Sequence, residues 1–367
     1  MSVTVATAPL QYSPAFEAEE KDESQTAHAL TETMCGITDT TFKDTGHAMR
    51  SVHAKSHGLL LGHMHVLPNL PSSLAQGMFA TAATYPIVMR LSTTPGDILD
   101  DSVSTPRGMA IKVVGVEGER LPGSEGDVTQ DFVLVNGPAF QSSTGAKFLR
   151  SLKLLAATTD TPQAPKKALS AVMRATEAFI EAFGGKSATV TSLGGHPQTH
   201  ILGETYFSQV PMLYGVYMAK VAVVPVAREL RALTNAPLNV NGKPNGLRDA
   251  VVDFFGAQGG EWEVRVQLCT DLDSMPIEEP STVWPEDESP YVAVARIEVP
   301  TQEAWSEARS ASIDDGFSFS PWHGLAAHRP LGRISRMRKH AYEVVARSRM
   351  QRNGRPVQEP RSLDGIG

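Results

Sequence analysis

The chain has 367 residues, a formal net charge of −7 and 41% hydrophobic residues, enough for one large domain or two ordinary ones. The acidic balance argues against nucleic acid as the main partner, because binding to its backbone needs clustered Lys and Arg. No apolar run reaches the length of about 18 residues that a membrane-spanning helix needs.

Residues 1–24 mix Ser, Pro, Glu and Ala without periodicity, which is typical of an arm that is disordered or lies over a partner subunit. They lack the basic start and apolar core of a secretion signal, so a cytoplasmic location is predicted. Cys35 and Cys269 lie far apart and form no CxxC pair. Two reduced thiols are therefore the plain interpretation, instead of a disulfide or a thiolate metal site.

The body of the chain, residues 25–350, predicts an α+β fold. Between residues 52 and 135, short runs rich in Val, Ile and Leu alternate with turn residues, and this pattern predicts strands of a barrel or sandwich. Later strand-like runs occupy residues 214–224, 262–270 and 291–299, and helical patterns occupy residues 147–157, 166–183, 246–255 and 330–350. This order favours a closed antiparallel β-barrel with appended helices, followed by a loose tail over residues 351–367.

Two histidines raise a metal hypothesis. His63 and His65 lie two residues apart in a predicted strand, so both side chains point to one face. A third and a fourth ligand are not evident, and such histidines are more often half-exposed on a barrel wall. The sequence also contains no HExxH motif, no P-loop and no GxGxxG after a strand.

The segment RSVHAK places His53 between two basic residues, where the arm enters the first strand. Taken alone, such a histidine is usually structural or exposed. In the last helix, Arg338 precedes Tyr342 by four residues, so the two side chains share a face. A cation held against a phenol oxygen favours the phenolate, the form that ligates ferric iron. A tyrosine that anchors the helix beside an exposed arginine is the plainer alternative.

Four segments, in this order, resemble the haem-dependent catalase family: VHAK at 52–55, YPIVMRLSTTPGD at 85–97, STPRGMAIKV at 104–113 and RMRKHAY at 336–342. VLVNGPAF at 133–140 and SFSPWHGLAAHRPLG at 318–332 lie where the family carries similar sequences. The resemblance spans roughly residues 50–349. HPQTHILGETYFSQVP at 196–211 is similar to the small bacterial catalase-related proteins.

The resemblance implies a haem b cofactor and assigns a role to each matching residue. Tyr342 is the implied axial iron ligand, and Arg338 holds its phenolate. His53 is the implied distal acid and base, Asn136 binds the peroxide, and Ser92 orients His53. The remaining cofactor contacts are the three arginines that neutralise the haem propionates and the residue before the distal histidine: Arg50, Arg90, Arg349 and Val52.

The implied function is a haem peroxidase with weak or moderate catalase activity, which uses a peroxide and a small-molecule reductant. The chain differs from the family at Gly137, at Phe319-Ser320-Pro321 and at Glu343-Val-Val-Ala, and these differences predict an altered pocket and access channel. Organic hydroperoxides therefore join hydrogen peroxide as expected substrates. Because family members often pair by exchanging N-terminal arms, the resemblance also implies a homodimer or a larger assembly.

Three other functions stay open from the sequence. A fatty-acid hydroperoxide isomerase or dehydratase, similar to allene oxide synthases, would carry Thr before the distal histidine, whereas Val52 stands there and favours redox chemistry. A non-enzymatic haem carrier or sensor needs neither His53 nor Asn136, so the presence of both argues against this function. A biosynthetic oxygenase on the same scaffold is the third alternative.

Overall fold

A computed structural model describes residues 8–159, 196–356 and 358–366 of the chain. The helix predicted over residues 166–183 lies outside these residues.

Nine strands form one antiparallel sheet. Their bounds are β1 Lys55–Val66, β2 Thr84–Thr93, β3 Arg107–Val114, β4 Thr129–Val135, β5 Tyr206–Phe207, β6 Met212–Tyr214, β7 Tyr217–Pro225, β8 Gly260–Leu268 and β9 Val292–Val299. The order is β5-β4-β3-β2-β1-β9-β8-β7-β6, and an additional β5–β7 pairing closes eight of the strands into a barrel. The predicted closed antiparallel barrel is confirmed.

The two faces of each barrel strand carry different side chains, because successive residues of a strand point to opposite faces. On β2, Ile87, Met89 and Leu91 belong to the large apolar core inside the barrel. Val88, on the opposite face, packs outside the barrel against Phe317 and Phe319. Arg90 and Ser92 share that outer face, so the polar residues predicted for the site leave the barrel core intact.

The helices are appended to the barrel, as predicted. Their bounds are α1 Glu23–Thr45, α2 Gly145–Thr158, α3 Arg228–Arg231, α4 Gly246–Ala257, α5 Glu307–Ser310 and α6 Arg333–Asn353. A π-helical turn, Ala311–Asp315, continues directly from α5. Helices α1, α2 and α6 pack together through their own apolar cluster, which includes Leu30, Leu152 and Met337.

Residues 8–22 lie along the body of their own chain, an arrangement that the sequence did not predict. Leu10 N–H donates to the Cys269 carbonyl oxygen (2.8 Å), and Tyr12 N–H donates to the Val216 carbonyl oxygen (2.8 Å). Acidic residues of the arm and of the start of α1 pair with basic residues of α6; Arg336, for example, contacts Glu17 and Glu23. Part of the positive charge of α6 is therefore neutralised by these two segments.

The tail also packs, contrary to the prediction that it is loose. Glu359 is bound by Lys112 Nζ (2.7 Å) and by the Thr129 hydroxyl (2.8 Å), both on barrel strands. Leu363 and Ile366 pack on the apolar cluster outside the barrel that contains Phe319. The tail contributes a buried charge and apolar contacts, which periodicity in its own short sequence cannot reveal.

Candidate haem site

A cavity lies between the outer face of the barrel and helices α1 and α6. Its free volume is about 730 Å³, including the mouth that opens to solvent. Seven of the nine residues predicted for the site line it: Arg50, Val52, His53, Arg90, Ser92, Tyr342 and Arg349. The fold thus brings together residues that are up to 299 positions apart in the chain.

His53 reaches the cavity from the segment just before β1. Its backbone φ is 53°, in the left-handed region that few non-glycine residues adopt and that is common at functional sites. The Ser92 hydroxyl lies 3.3 Å from His53 Nδ1. Gly108 lies against the same ring, where a Cβ atom would come within 2.7 Å of Nδ1. A side chain at position 108 would therefore displace the imidazole.

His53 is a neutral imidazole at physiological pH. Burial, and then the positive charges of Arg90 and Arg338, lower the pKa of His53 to about 3. A neutral ring keeps one lone pair, so this histidine can accept a proton across the physiological pH range. A hydrogen bond from Nδ1–H to Ser92 would leave Nε2 as the accepting atom.

Tyr342 reaches the same cavity from α6. Arg338 Nη2 donates a hydrogen bond of 2.6 Å to the Tyr342 oxygen, and its guanidinium carbon lies 5.2 Å from the ring centroid. The i,i+4 pairing proposed from the sequence is therefore present, although Arg338 itself does not line this cavity. Ala341, Val345 and Ala346, which belong to the same helix, give the wall beside Tyr342 an apolar character.

Three arginines meet at one end of the cavity, where the π-helical turn presents carbonyl groups. Arg50 and Arg349 both donate to the Phe317 carbonyl oxygen (2.9 Å each) and to the Asp314 carbonyl oxygen. Arg90 Nε donates to Asp314 Oδ1 (2.6 Å). Burial, and then the positive charges of Arg90 and Arg349, lower the pKa of Arg50. The cluster therefore has more positive charge than its carboxylate neutralises.

Asp314 is the functional residue that the sequence did not indicate. Burial alone would raise the pKa of Asp314, but Arg90 and Arg50 outweigh it and lower the pKa to about 2. Its second oxygen accepts hydrogen bonds from Ser56 (2.7 Å) and Ser310 (2.9 Å). The Asp314 contacts join segments that are distant in the chain, so no local motif could identify it.

Asn136 is the second predicted site residue, after Arg338, that does not line the cavity. Its Oδ1 accepts from Arg107 N–H (2.9 Å), and its Nδ2 donates to His196 Nε2 (2.7 Å) and Glu204 Oε2 (3.3 Å). Among the described residues that line the cavity, β4 contributes Val133 and Leu134 instead.

Strand parity explains this placement. Val133 and Val135 share one face of β4, whereas Asn136 has the opposite parity. In the antiparallel pairing of β3 with β4, Val135 lies opposite Gly108, the residue against the His53 ring. The position opposite Gly108 on this face is thus occupied by an apolar residue.

The metal hypothesis at His63 and His65, and the expectation that no helix spans a membrane, can be compared with the described part of the chain. Within it, no group of three or more His, Cys, Asp or Glu residues could hold a metal ion. The rings of His63 and His65 lie 6.2 Å apart, and His65 hydrogen-bonds Thr84. No helix in the same residues is long and apolar enough to cross a bilayer.

The residues around the cavity fit a haem group. A haem is a flat apolar macrocycle with two carboxylates at one edge, and the cavity combines apolar walls with an arginine cluster short of negative charge. Tyr342 could supply an oxygen ligand from α6, and His53 a neutral base from the barrel side. Both residue types and the charge distribution suit this cofactor.

Comparison with solved structures identifies the fold. The chain is similar to a fungal catalase (16% identity, TM-score 0.59, covering 89% of this chain and 67% of that one). It is also similar to catalase A from Saccharomyces cerevisiae (17%, 0.58, 84% and 63%) and to a bacterial catalase (15%, 0.55, 99% and 68%). The protein therefore has a catalase-like fold, and it spans about two thirds of the length of these catalases.

No family model matches the chain. No curated protein matches it either. At 15–17% identity the likeness to catalases concerns the fold, so activity has to be argued from the site itself.

Proposed function

We propose that this chain is a haem-dependent peroxidase of the small catalase-related type, which reduces organic hydroperoxides or hydrogen peroxide. One observation carries the proposal: His53, from the segment before β1, and Tyr342, from α6, line a single cavity, and the Tyr342 oxygen is held by Arg338.

Each residue of the candidate site would have a separate role. Tyr342 would hold the iron, and the arginine cluster would bind the propionates. When bound, the haem supplies the redox centre at which the O–O bond is cleaved. His53 would take the proton from the near peroxide oxygen and return it to the far oxygen, so that an alcohol or water leaves. Ser92 and Gly108 would keep the imidazole in position for both transfers.

The overall reaction is the reduction of a hydroperoxide ROOH by a small reductant AH₂ to ROH, water and A. The two electrons and two protons of AH₂ balance the cleaved O–O bond. The apolar wall residues Val52 and Val133 favour the alkyl group of an organic hydroperoxide over the second polar end of hydrogen peroxide. Weak catalase activity is the expected consequence.

Activity assays on the haem-loaded protein test this proposal. We would mix it with hydrogen peroxide, cumene hydroperoxide or a fatty-acid hydroperoxide, with and without a reducing dye, and follow oxygen release and dye oxidation. Dye oxidation with little oxygen release supports a peroxidase. Rapid oxygen release would identify a catalase, and loss of the fatty-acid hydroperoxide without a reductant would identify an isomerase.

Two variants separate the roles of the proposed residues. His53→Gln should lower kcat/KM by about 100-fold or more, the usual contribution of a general acid–base group, and leave haem binding intact. Tyr342→Phe should change the haem spectrum. Tyr217→Phe, on β7, and His65→Gln, on the barrel wall, are matched controls outside the cavity. An unchanged spectrum for Tyr342→Phe would refute the ligand assignment.

A homodimer is the proposed assembly, and light scattering measures it directly. Residues 8–22 contact their own chain, so an exchanged arm would have to leave contacts such as those of Tyr12 and Glu17 with Arg329. A monomer at micromolar concentration would contradict the proposal.

A further inference from the structure

A second cavity shares a wall with the first. Val133 and Leu134 line both cavities, whereas Arg338 lines the second and Tyr342 lines the first. The free volume of the second cavity is about 430 Å³, including the part that opens to solvent. The hydrogen bond from Arg338 to Tyr342 therefore connects the two cavities.

Among the described residues, no carboxylate pairs with the Arg338 guanidinium. An arginine has five N–H donors, and in the described chain the one hydrogen bond of Arg338 goes to Tyr342. No carboxylate of the described residues lies within 4.0 Å of it. Arg336, two residues earlier on the same helix, instead contacts Glu17, Glu23 and Glu278.

The walls of the second cavity supply little competing charge. Its one carboxylate, Asp131, is bound by Lys112 Nζ (2.7 Å) and by Ser320 N–H (2.9 Å). The Ser208 hydroxyl is also occupied, because it accepts from Val221 N–H (3.1 Å) and donates to the Val210 carbonyl oxygen (3.0 Å). The fully buried His328 accepts from Met78 N–H through Nε2 (3.1 Å).

We infer that this second cavity binds a small monovalent oxyanion of the carboxylate or nitrite type, held by Arg338. A planar oxyanion matches the paired N–H groups of a guanidinium, and the walls beside Arg338 include the apolar Val210, Met212 and Pro330. Formate and nitrite are among the smallest oxyanions of this shape.

Such an anion would act on Tyr342 through Arg338. Its negative charge would offset the guanidinium and draw N–H groups away from the phenol oxygen. If the proposed function holds and Tyr342 ligates haem iron, the ligand would then donate more electron density to the metal. The anion would be a regulator of the site, bound outside the cavity in which His53 lies.

Calorimetric titration of the full-length protein without cofactor, with sodium formate at constant ionic strength, tests the binding site independently of haem chemistry. Arg338→Gln, and Val210→Phe, which fills the cavity, should each weaken formate binding by at least about tenfold, the loss expected for one charge-assisted contact. Arg50→Gln is the control, because Arg50 belongs to the other arginine cluster. Thermal melts confirm that each variant is folded.

Two outcomes would overturn the inference. Formate binding that survives in both Arg338→Gln and Val210→Phe but is lost in Arg50→Gln would assign the anion to the cluster around Asp314. Absence of formate and nitrite binding to the folded wild-type protein would refute the site altogether.

The haem-loaded protein provides the second readout. Formate should shift the haem absorption spectrum in wild type, and this shift should be at least tenfold less sensitive to formate in Val210→Phe. An identical shift in both proteins would mean that formate binds the iron directly. Failure to bind haem would contradict the proposed function but leave the calorimetric test of the anion site valid.

Discussion

Two buried cationic sites lie outside the barrel, and they differ in how their positive charge is balanced. Lys112 is fully buried between two carboxylates, Asp131 and Glu359. The cluster of Arg50, Arg90 and Arg349 hydrogen-bonds the carboxylate of Asp314 and otherwise binds carbonyl oxygens, and the carboxylate of Asp315 lies nearby. The negative charge around Lys112 balances its cation, whereas the arginine cluster carries a surplus of positive charge.

The pKa shifts of the basic side chains reflect this difference. Burial alone would lower the pKa of Lys112, but Asp131 and Glu359 outweigh it and raise the pKa. At Arg50, burial and the neighbouring cations all act to lower the pKa. A buried cation with its own counter-charges is part of the framework, whereas a cationic cluster without enough of them is suited to bind an anionic ligand.

The largest effect is expected at Lys112. Lys112→Met leaves Asp131 and Glu359 buried beside each other, and the free energy of unfolding should fall by about 3–5 kcal/mol, as for other broken buried ion pairs. Lys220→Met is the matched control: Lys220 is also buried on a barrel strand, but it binds a carbonyl oxygen of Thr282 (3.0 Å) and lies over Trp284 (5.0 Å). Lys220→Met leaves no carboxylate unpaired, and the free energy of unfolding should fall by about 1 kcal/mol.

Urea unfolding measures both values. Adding Glu359→Gln to Lys112→Met should recover part of the loss, because it removes one of the two unpaired charges. Equal losses for Lys112→Met and Lys220→Met would contradict the view that the tail contributes a balancing charge.

The next effect concerns ligand binding at the arginine cluster. Arg90→Gln should weaken haemin binding by about 10- to 100-fold, since a hydrogen bond to a charged group contributes about 1.5–3 kcal/mol. Asp314→Asn instead removes a negative charge from the cluster. The cofactor-free variant should be less stable than the wild type, and haemin should raise its stability by more than it does in the wild type. Haemin titration and thermal melts measure the two effects. Unchanged haemin affinity in Arg90→Gln would contradict the role of the cluster.

Local patterns predicted the barrel, and the resemblance of short segments to the catalase family predicted most of the candidate site. Runs rich in Val, Ile and Leu, bounded by turn residues, indicated β1 to β4, and the four-residue spacing of Arg338 and Tyr342 indicated a shared helix face. Asp314 and Glu359 could not be found this way. Their partners, such as Ser56 and Lys112, lie more than 200 positions away, and the charge balance arises only when the chain is folded.

Acid should destabilise the fold through its buried histidines. Burial lowers the pKa of several of them: His53, His57, His196, His200, His323 and His328. Because the unfolded chain binds these protons near pH 6.5, the stability is fully present above that pH and is lost as the pH falls towards about 4. Asp101 and Asp131, whose pKa burial raises, have the opposite sign but are two groups against six. Urea midpoints at pH 7, 6 and 5 measure the slope, and equal midpoints would contradict it.

The smallest effect on activity is expected at Asn136. This prediction tests whether the family resemblance or the strand geometry gives the correct role of this residue. Asn136→Ala removes hydrogen bonds to Arg107, His196 and Glu204, so stability should fall by about 1–3 kcal/mol. The kcat/KM for cumene hydroperoxide should change less than about threefold, because the amide lies away from the cavity. Val135→Asn is the paired variant: it adds an amide opposite Gly108 and should raise the ratio of oxygen release to dye oxidation. A loss of activity in Asn136→Ala as large as that in His53→Gln would instead mean that the amide turns into the cavity when peroxide binds.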